Sequence, residues 1–194
     1  MLTCSLNRIV VGVTGSAAAL SVASYIHAFR AHGVAQIDMI LTSSATRFVQ
    51  PQAVRSICDT VVTEDSETNH VSLARGADAI LVVPASAHTL GCLAHGLAPN
   101  TLTTTILAAD CPVILVPAMN LAMWRKPAVQ RNVDALVDDG FTVIAPRIGQ
   151  VYELASRSMV EGLQSVDPQV LYEAVLHIVG AALGPSGAGE EVHE

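Results

Sequence analysis

Short runs of apolar, largely β-branched residues recur along this chain, and each gives way to glycine, proline or hydroxyl residues followed by a helix-forming stretch. Arg8–Val13 breaks at Gly12-Val13-Thr14-Gly15-Ser16 ahead of the helix-favouring run Ala17–His32, and Gln36–Leu41 ends in Thr42-Ser43-Ser44 ahead of Ala45–Val49. Further strands are expected at about Ile57–Val62, Ala79–Val83, Val113–Val116 and Phe141–Ile144, with helices at His70–Arg75, His88–Ala94, Leu102–Ala109 and Pro127–Asp139. Apolar runs without polar alternation are strands covered on both faces, and their alternation with helices specifies a parallel sheet. The expected fold class is therefore α/β: a doubly wound, mostly parallel sheet with helices on both faces, Rossmann-like or flavodoxin-like. No composition shift marks a second domain, so residues 1–183 read as one unit. Asp167-Pro168 can cap and start a last helix to about Leu183, and the Gly- and Glu-rich tail Gly184–Glu194 is expected to be disordered.

At 51% hydrophobic and 14% charged residues the chain is apolar for its 194-residue length, which points to surface buried between subunits. No run approaches the roughly 18–20 apolar residues of a membrane span. The start, Met1-Leu2-Thr3-Cys4-Ser5-Leu6-Asn7-Arg8, lacks a basic region leading into an apolar segment, so a cytoplasmic protein with no membrane partner is expected. Ten Lys and Arg against 17 Asp and Glu give a formal charge of −7, which removes the basic footprint of nucleic-acid binding. Cys4, Cys58, Cys92 and Cys111 are scattered without a Cys-x-x-Cys pair; they read as reduced, mostly buried thiols, with neither disulfide framework nor metal site.

The chemistry gathers where strands end, which is where open α/β sheets bind ligands. Ala79–Val83 runs into Pro84-Ala85-Ser86-Ala87-His88-Thr89, and Cys111–Val116 into Pro117-Ala118-Met119-Asn120-Leu121-Ala122-Met123-Trp124. The turn Gly12–Ser16 is neither a Walker loop nor a Gly-x-Gly-x-x-Gly fingerprint. A glycine turn opening a helix still aims unpaired N–H groups and a hydroxyl at an anion. Ser86 and Thr89 add donors of the same kind, so a mononucleotide phosphate can be held without a basic residue.

Together the segments Pro84–Thr89 and Pro117–Trp124 resemble the paired motifs of the flavin-dependent cysteine decarboxylases, usually close to Pro-Ala-Ser-Ala-Asn-Thr and Pro-x-Met-Asn-x-x-Met-Trp. The resemblance spans roughly Arg8 to Met159. It implies a flavin-binding decarboxylase domain and carries FMN contacts onto Gly15, Ser16, Thr42, Ser44, Ser86, Ala87, Thr89 and Ala118, with Met119 packed near the flavin. The family's Asn before Thr is His88 here, a bulkier donor, so FAD stays open as the alternative flavin. The resemblance also carries the acid–base role onto His70, in Asn69-His70-Val71-Ser72-Leu73-Ala74-Arg75-Gly76-Ala77-Asp78. The other histidines, His27, His32, His95, His177 and His193, read as structural or solvated.

Residue types explain the chemistry. A cysteine α-carbon offers no sink for the electrons of decarboxylation. Oxidation at the β-carbon creates one: a base takes the thiol proton, the flavin takes hydride, and the resulting thioaldehyde accepts the electrons released with CO2, giving an enethiolate. His70 suits the thiol proton. Asn120 suits the substrate carboxylate, because its amide donates hydrogen bonds without a full charge, although it can equally cap the following helix. Trp124 would brace the turn, and Met123, Tyr152, Arg157 and Met159 would contact substrate, with Tyr152–Met159 either a flap over its end or an ordinary surface loop.

Two relatives differ in outcome. Phosphopantothenoylcysteine decarboxylase, of coenzyme A biosynthesis, has a downstream Ala-Cys-Gly whose thiol helps reduce the enethiolate. The matching stretch here, Gly149–Met159, has no cysteine. The reaction should then stop at the aminoenethiol, as in the peptidyl-cysteine decarboxylases of lanthipeptide, linaridin and thioamitide pathways, which act on the C-terminal cysteine of a ribosomal precursor peptide toward an aminovinyl-cysteine ring. A flavin prenyltransferase ranks below, since it lacks the Met-Asn motif. A non-catalytic flavin-binding regulatory subunit is opposed by the presence of both His70 and Asn120. Family members assemble as homotrimers or homododecamers, which fits the apolar composition.

Overall fold

A computed structural model of the chain describes residues 5–66, 69–153 and 156–183; the tail 184–194, Cys4 and His193 lie outside the described residues. Six strands, β1 (Arg8–Val13), β2 (Gln36–Leu41), β3 (Thr60–Val62), β4 (Ala79–Ala85), β5 (Val113–Pro117) and β6 (Thr142–Val143), form one parallel sheet in the order β3-β2-β1-β4-β5-β6. The helices are α1 (Val22–Ala31), α2 (Pro51–Val54), α3 (His70–Ala74), α4 (Ala87–Ala94), α5 (Thr101–Leu107), α6 (Leu121–Trp124), α7 (Pro127–Asp138) and α8 (Pro168–Leu183). Two more strands, β7 (Arg147–Glu153) and β8 (Ser158–Gln164), pair antiparallel as a separate ribbon.

The strands read as continuous apolar runs because alternate side chains serve two cores. Ile9, Val11, Val13, Ile37, Met39 and Leu41 pack on one face with Tyr25, Ile26 and Phe29 of α1 and Leu171 and Val175 of α8. Val10, Ile40, Ile80, Val82 and Leu115 pack on the other with Leu73 of α3, Leu90 of α4, Leu102 and Ile106 of α5 and Leu136 of α7. Asp167 caps α8 as expected, its Oδ1 accepting the N–H groups of Gln169 and Val170 at 2.9 and 3.2 Å.

Several boundaries differ from the sequence expectation. The helix expected from Ala17 begins as a 3-10 turn over Ala17–Ser21, closed where the Ala19 N–H reaches the Ser16 carbonyl at 2.9 Å. Ala45–Val49 likewise yields a 3-10 turn, Ala45–Arg47, rather than an α-helix. β3 starts at Thr60, not Ile57, because the N–H groups of Ile57 and Cys58 still bond the Val54 carbonyl at the end of α2. β6 shrinks to two residues, although the Ile144 N–H still reaches the Leu115 carbonyl at 2.9 Å. Helices α2 and α6, four residues each, are too short to leave a periodic signal. The Tyr152–Met159 segment, expected as a flap or loop, contributes the facing ends of β7 and β8.

Strand order reverses at β1, which has β2 on one side and β4 on the other, so the crevice of the sheet opens between the carboxyl ends of β1 and β4. At the opposite end one buried charge ties three elements. Asp38 of β2 is 1% exposed, and its Oδ2 accepts from Arg8 Nε and Nη2, both at 2.9 Å, while Arg8 Nη1 donates to the Arg75 carbonyl after α3 at 2.6 Å. Gln36 Nε2 also donates to Oδ2 at 2.9 Å, while Asp38 Oδ1 is buried without a partner, so Arg8 is the carboxylate's one charged partner among the described residues. Replacing Arg8 with Met leaves the buried carboxylate with only the neutral Gln36 donor and is expected to cost about 3 kcal/mol. The check is a lower urea midpoint with an unchanged denaturant slope.

Candidate functional site

Thr14, the first residue after β1, is 1% exposed, and its hydroxyl donates to the Pro84 carbonyl and accepts the Ser86 N–H, both at 2.8 Å. One side chain thus locks the end of β1 to the end of β4. The neighbouring strand ends are fastened the same way: the Thr42 N–H reaches the Val13 carbonyl at 3.1 Å, and the Ala118 N–H reaches the Ala85 carbonyl at 3.0 Å. Gly15 permits the closest approach, since a Cβ there would stand 2.5 Å from Ser44 Cβ.

These four ends enclose a cavity of about 370 Å³, within the size range of small-ligand sites. After β1 its wall is Thr14, Gly15 and Ser16; after β2, Thr42, Ser43 and Ser44; after β4, Ser86, Ala87, His88 and Thr89; after β5, Ala118, Met119 and Met123, with Glu64 and Asn100 completing it. Every cofactor residue expected from the sequence is therefore in one wall. Thr14 and Ser43 join them from the same strand-end segments. Glu64 and Asn100 sit in loops that carry no motif, and only the topology brings them in.

Among the described residues the wall contains no Lys or Arg. Its attraction for an anion comes from hydroxyls and from the N-terminus of α4, where Ser86 Oγ accepts the Thr89 N–H at 3.3 Å and lies 3.1 Å from Thr89 Oγ1. Met119 and Met123 supply apolar, adaptable surface for a ring. Glu64 is held at the start of α5, its Oε2 accepting from Thr101 N and Oγ1 at 3.1 Å each, while its Oε1 is buried with no partner. Hydroxyl and amide donors for a phosphate, an apolar flank for a ring and a carboxylate beside them for hydroxyl donors form a set that fits FMN.

His88 is exposed, and its Nε2 lies 3.6 Å from the buried Cys92 Sγ one turn on. If the thiol donates, the imidazole keeps its proton on Nδ1 and remains a donor, as the family's amide would be.

Asn120 fills the capping role that its motif allows. Its Oδ1 accepts the Ala122 N–H at 2.8 Å and caps α6, which turns Nδ2 outward to donate to Glu153 Oε1 of β7 at 2.8 Å. Trp124 is half-buried, and its carbonyl accepts Gln130 Nε2 at 2.6 Å, bracing the passage from α6 to α7. His70 opens α3 behind the Asn69 cap and is half-buried, but it is not in the cavity wall of its own chain. Nor are Tyr152, Arg157 and Met159: Tyr152 and Met159 face each other across the ribbon, exposed, and Arg157 takes a left-handed φ of 51° beside its turn. His32 stacks on Tyr172 with ring centres 4.0 Å apart, a structural role.

Burial pushes the Cys58 thiol up to about 11 and raises that of Cys111 as well. Neither residue belongs to the cavity wall. At pH 8 iodoacetamide should alkylate Cys58 about 100-fold more slowly than an unperturbed thiol, as followed by peptide mass mapping of the native protein. Alkylation of Cys58 at the rate of the unfolded chain would contradict this placement.

The chain matches the Flavoprotein family over residues 3–166. Mersacidin decarboxylase of Bacillus sp. (strain HIL-Y85/54728) is 33% identical over 171 residues, covering 85% of this chain and 88% of that protein. The coenzyme A biosynthesis bifunctional protein CoaBC of Bacillus subtilis (strain 168) is 42% identical over 122 residues, 59% of this chain and 30% of that protein, so this chain spans less than a third of that relative. Among solved structures, peptidyl-cysteine decarboxylase EpiD superposes with a TM-score of 0.80 at 25% identity, covering 89% of this chain and 99% of that one. The FMN-dependent cysteine decarboxylase SpaF gives a TM-score of 0.75 at 32% identity, covering 92% and 98%. With the match reaching from β1 through the β7–β8 ribbon, the chain belongs to the Flavoprotein family, alongside the FMN-dependent cysteine decarboxylases.

Proposed function

We propose that the protein is an FMN-dependent peptidyl-cysteine decarboxylase that converts the C-terminal cysteine of a ribosomal precursor peptide to an aminoenethiol, the precursor of an aminovinyl-cysteine ring. The observation that carries this reading is the single cavity at the β1/β4 crevice, in whose wall all the expected FMN residues meet and whose β5 side, Met119 and Met123, flanks Asn120 in sequence. Bound there, FMN supplies the two-electron oxidation at the cysteine β-carbon that lets the carboxylate leave as CO2.

The residues of the chain do the rest. Gly15, Ser16, Thr42, Ser44, Ser86, Ala87, His88, Thr89, Ala118 and Met119 hold and flank the cofactor. Asn120 orients the substrate carboxylate through Nδ2, which its capping bond already aims away from α6. His70 accepts the thiol proton. Its place outside the cavity wall of one chain supports a site completed at a subunit contact, in a homotrimer or in a homododecamer. The ribbon, with Tyr152, Arg157 and Met159, covers the end of the peptide. No cysteine stands between Gly149 and Met159 to protonate an enethiolate, which supports release at the enethiol. No described helix is long and apolar enough to cross a membrane, and a cytoplasmic location is part of this reading.

A second reading, decarboxylation of phosphopantothenoylcysteine, is favoured by the identity with the coenzyme A biosynthesis protein. Mass spectrometry separates the two. A peptide ending in cysteine should lose about 46 Da, CO2 plus two hydrogens, whereas reduction of the product would leave a loss of about 44 Da. Turnover of phosphopantothenoylcysteine with no change in any Cys-ending peptide would transfer the assignment to the second reading.

His70→Asn should lower kcat by about 10²–10⁴-fold while the purified protein keeps its flavin absorbance. A colourless variant would move His70 into the cofactor site instead.

A further inference from the structure

The amide to which the proposed function gives the substrate carboxylate already holds one. Asn120 has a single orientation, because its Oδ1 is spent on the Ala122 N–H at 2.8 Å, and the donor that this leaves pointing outward meets Glu153 Oε1 at 2.8 Å. Glu153 is the last residue of β7 and faces Ser158 across the ribbon. One further polar contact brings the ribbon to the same short helix: Arg125 Nη2, just after α6, lies 3.3 Å from Glu161 Oε2 of β8. That pair is 59% exposed on both sides and contributes little. A two-stranded ribbon is marginal by itself, and the bond from Asn120 to Glu153, also at the surface but charge-assisted, is the shorter of the two polar ties that reach it from α6 and its end.

We propose that Glu153 is an internal competitor for the carboxylate site: its side chain occupies Asn120 Nδ2 in the peptide-free protein and must give way to the α-carboxylate of the substrate. This rests on the proposed role of Asn120. The exchange replaces one carboxylate by another on the same donor, so Asn120 never goes without an acceptor, and substrate entry is coupled to release of the β7 end. Competition of this kind lowers apparent affinity by the fraction of molecules in which the donor is free. It weakens every ligand of that donor by one common factor, so Glu153 sets the peptide concentration at which the site fills and leaves the ranking of peptides to other contacts.

The test uses the purified flavoprotein and a peptide ending in serine in place of cysteine, which keeps the carboxylate and cannot lose a thiol proton. By calorimetry E153A should bind this peptide about tenfold more tightly than the unaltered protein, with E153Q in between because its amide oxygen still accepts from Asn120. In the peptide-free protein, hydrogen exchange of the β7 and β8 amides should quicken in E153A and in N120A, and the double variant should exchange no faster than N120A, since that substitution already removes the bond to Glu153 together with the α6 cap. Unchanged or weaker peptide binding by E153A, or additive effects on exchange, would overturn the proposal. If no Cys-ending peptide is converted by the unaltered protein the decarboxylase reading falls, while the exchange measurement still reports on the bond between Glu153 and Asn120.

Discussion

The buried hydroxyl of Thr14 is the contact on which the rest of the site depends. Parallel strands fix only the spacing of their backbones, and nothing in a ladder of hydrogen bonds makes two neighbouring strands end in a shared structure. Thr14 does so by donating to Pro84 and accepting from Ser86. Both hydrogen-bonding capacities are used inside the protein, so its own hydroxyl serves as a strut. The turn after β1 and the start of α4 are thereby placed side by side at the point where strand order reverses.

Around that strut the cavity wall gathers hydroxyls and the start of α4 and, among the described residues, no Lys or Arg. Hydroxyls and the first N–H groups of α4 are fixed dipoles that need no reorganisation on binding, and a wall free of Lys and Arg is compatible with the overall charge of −7. Glu64 shows the other side of that economy. Its carboxylate is pinned to the start of α5 through one oxygen, while the second is buried and unpaired. Buried polar atoms are rarely left so, and ligand hydroxyls are the nearest chemistry that can relieve it.

The ribbon β7–β8 packs beside helix α6, whose Met123 reaches the cavity wall. α6 has only four residues and holds its shape through its cap, and the same Asn120 that caps it reaches the ribbon. The cap of α6 and the tie to the ribbon therefore share one side chain, the one to which the proposed function gives the substrate carboxylate. A structural role and a functional one are not alternatives at Asn120, because the capping bond is what orients the donor.

Much of this was legible in the residues themselves. β1 and β2 begin and end where their apolar runs do, and Pro84–Thr89 and Pro117–Trp124 stand at strand ends because serine and asparagine cap the helices that follow, although the ladder runs past the expected ends at Val83 and Val116 to pair Ala85 with Pro117. Such preferences act over a few residues and survive any tertiary setting. What only the tertiary structure decided are contacts between residues far apart in sequence: Glu64 and Asn100 in the cavity wall, His70 outside it, the pairing of Tyr152 with Met159, and the bond from Asn120 to Glu153. None of these follows from local propensity. The helices α2 and α6 and the two-residue β6 escaped for the complementary reason, since an element of one turn or less repeats no pattern.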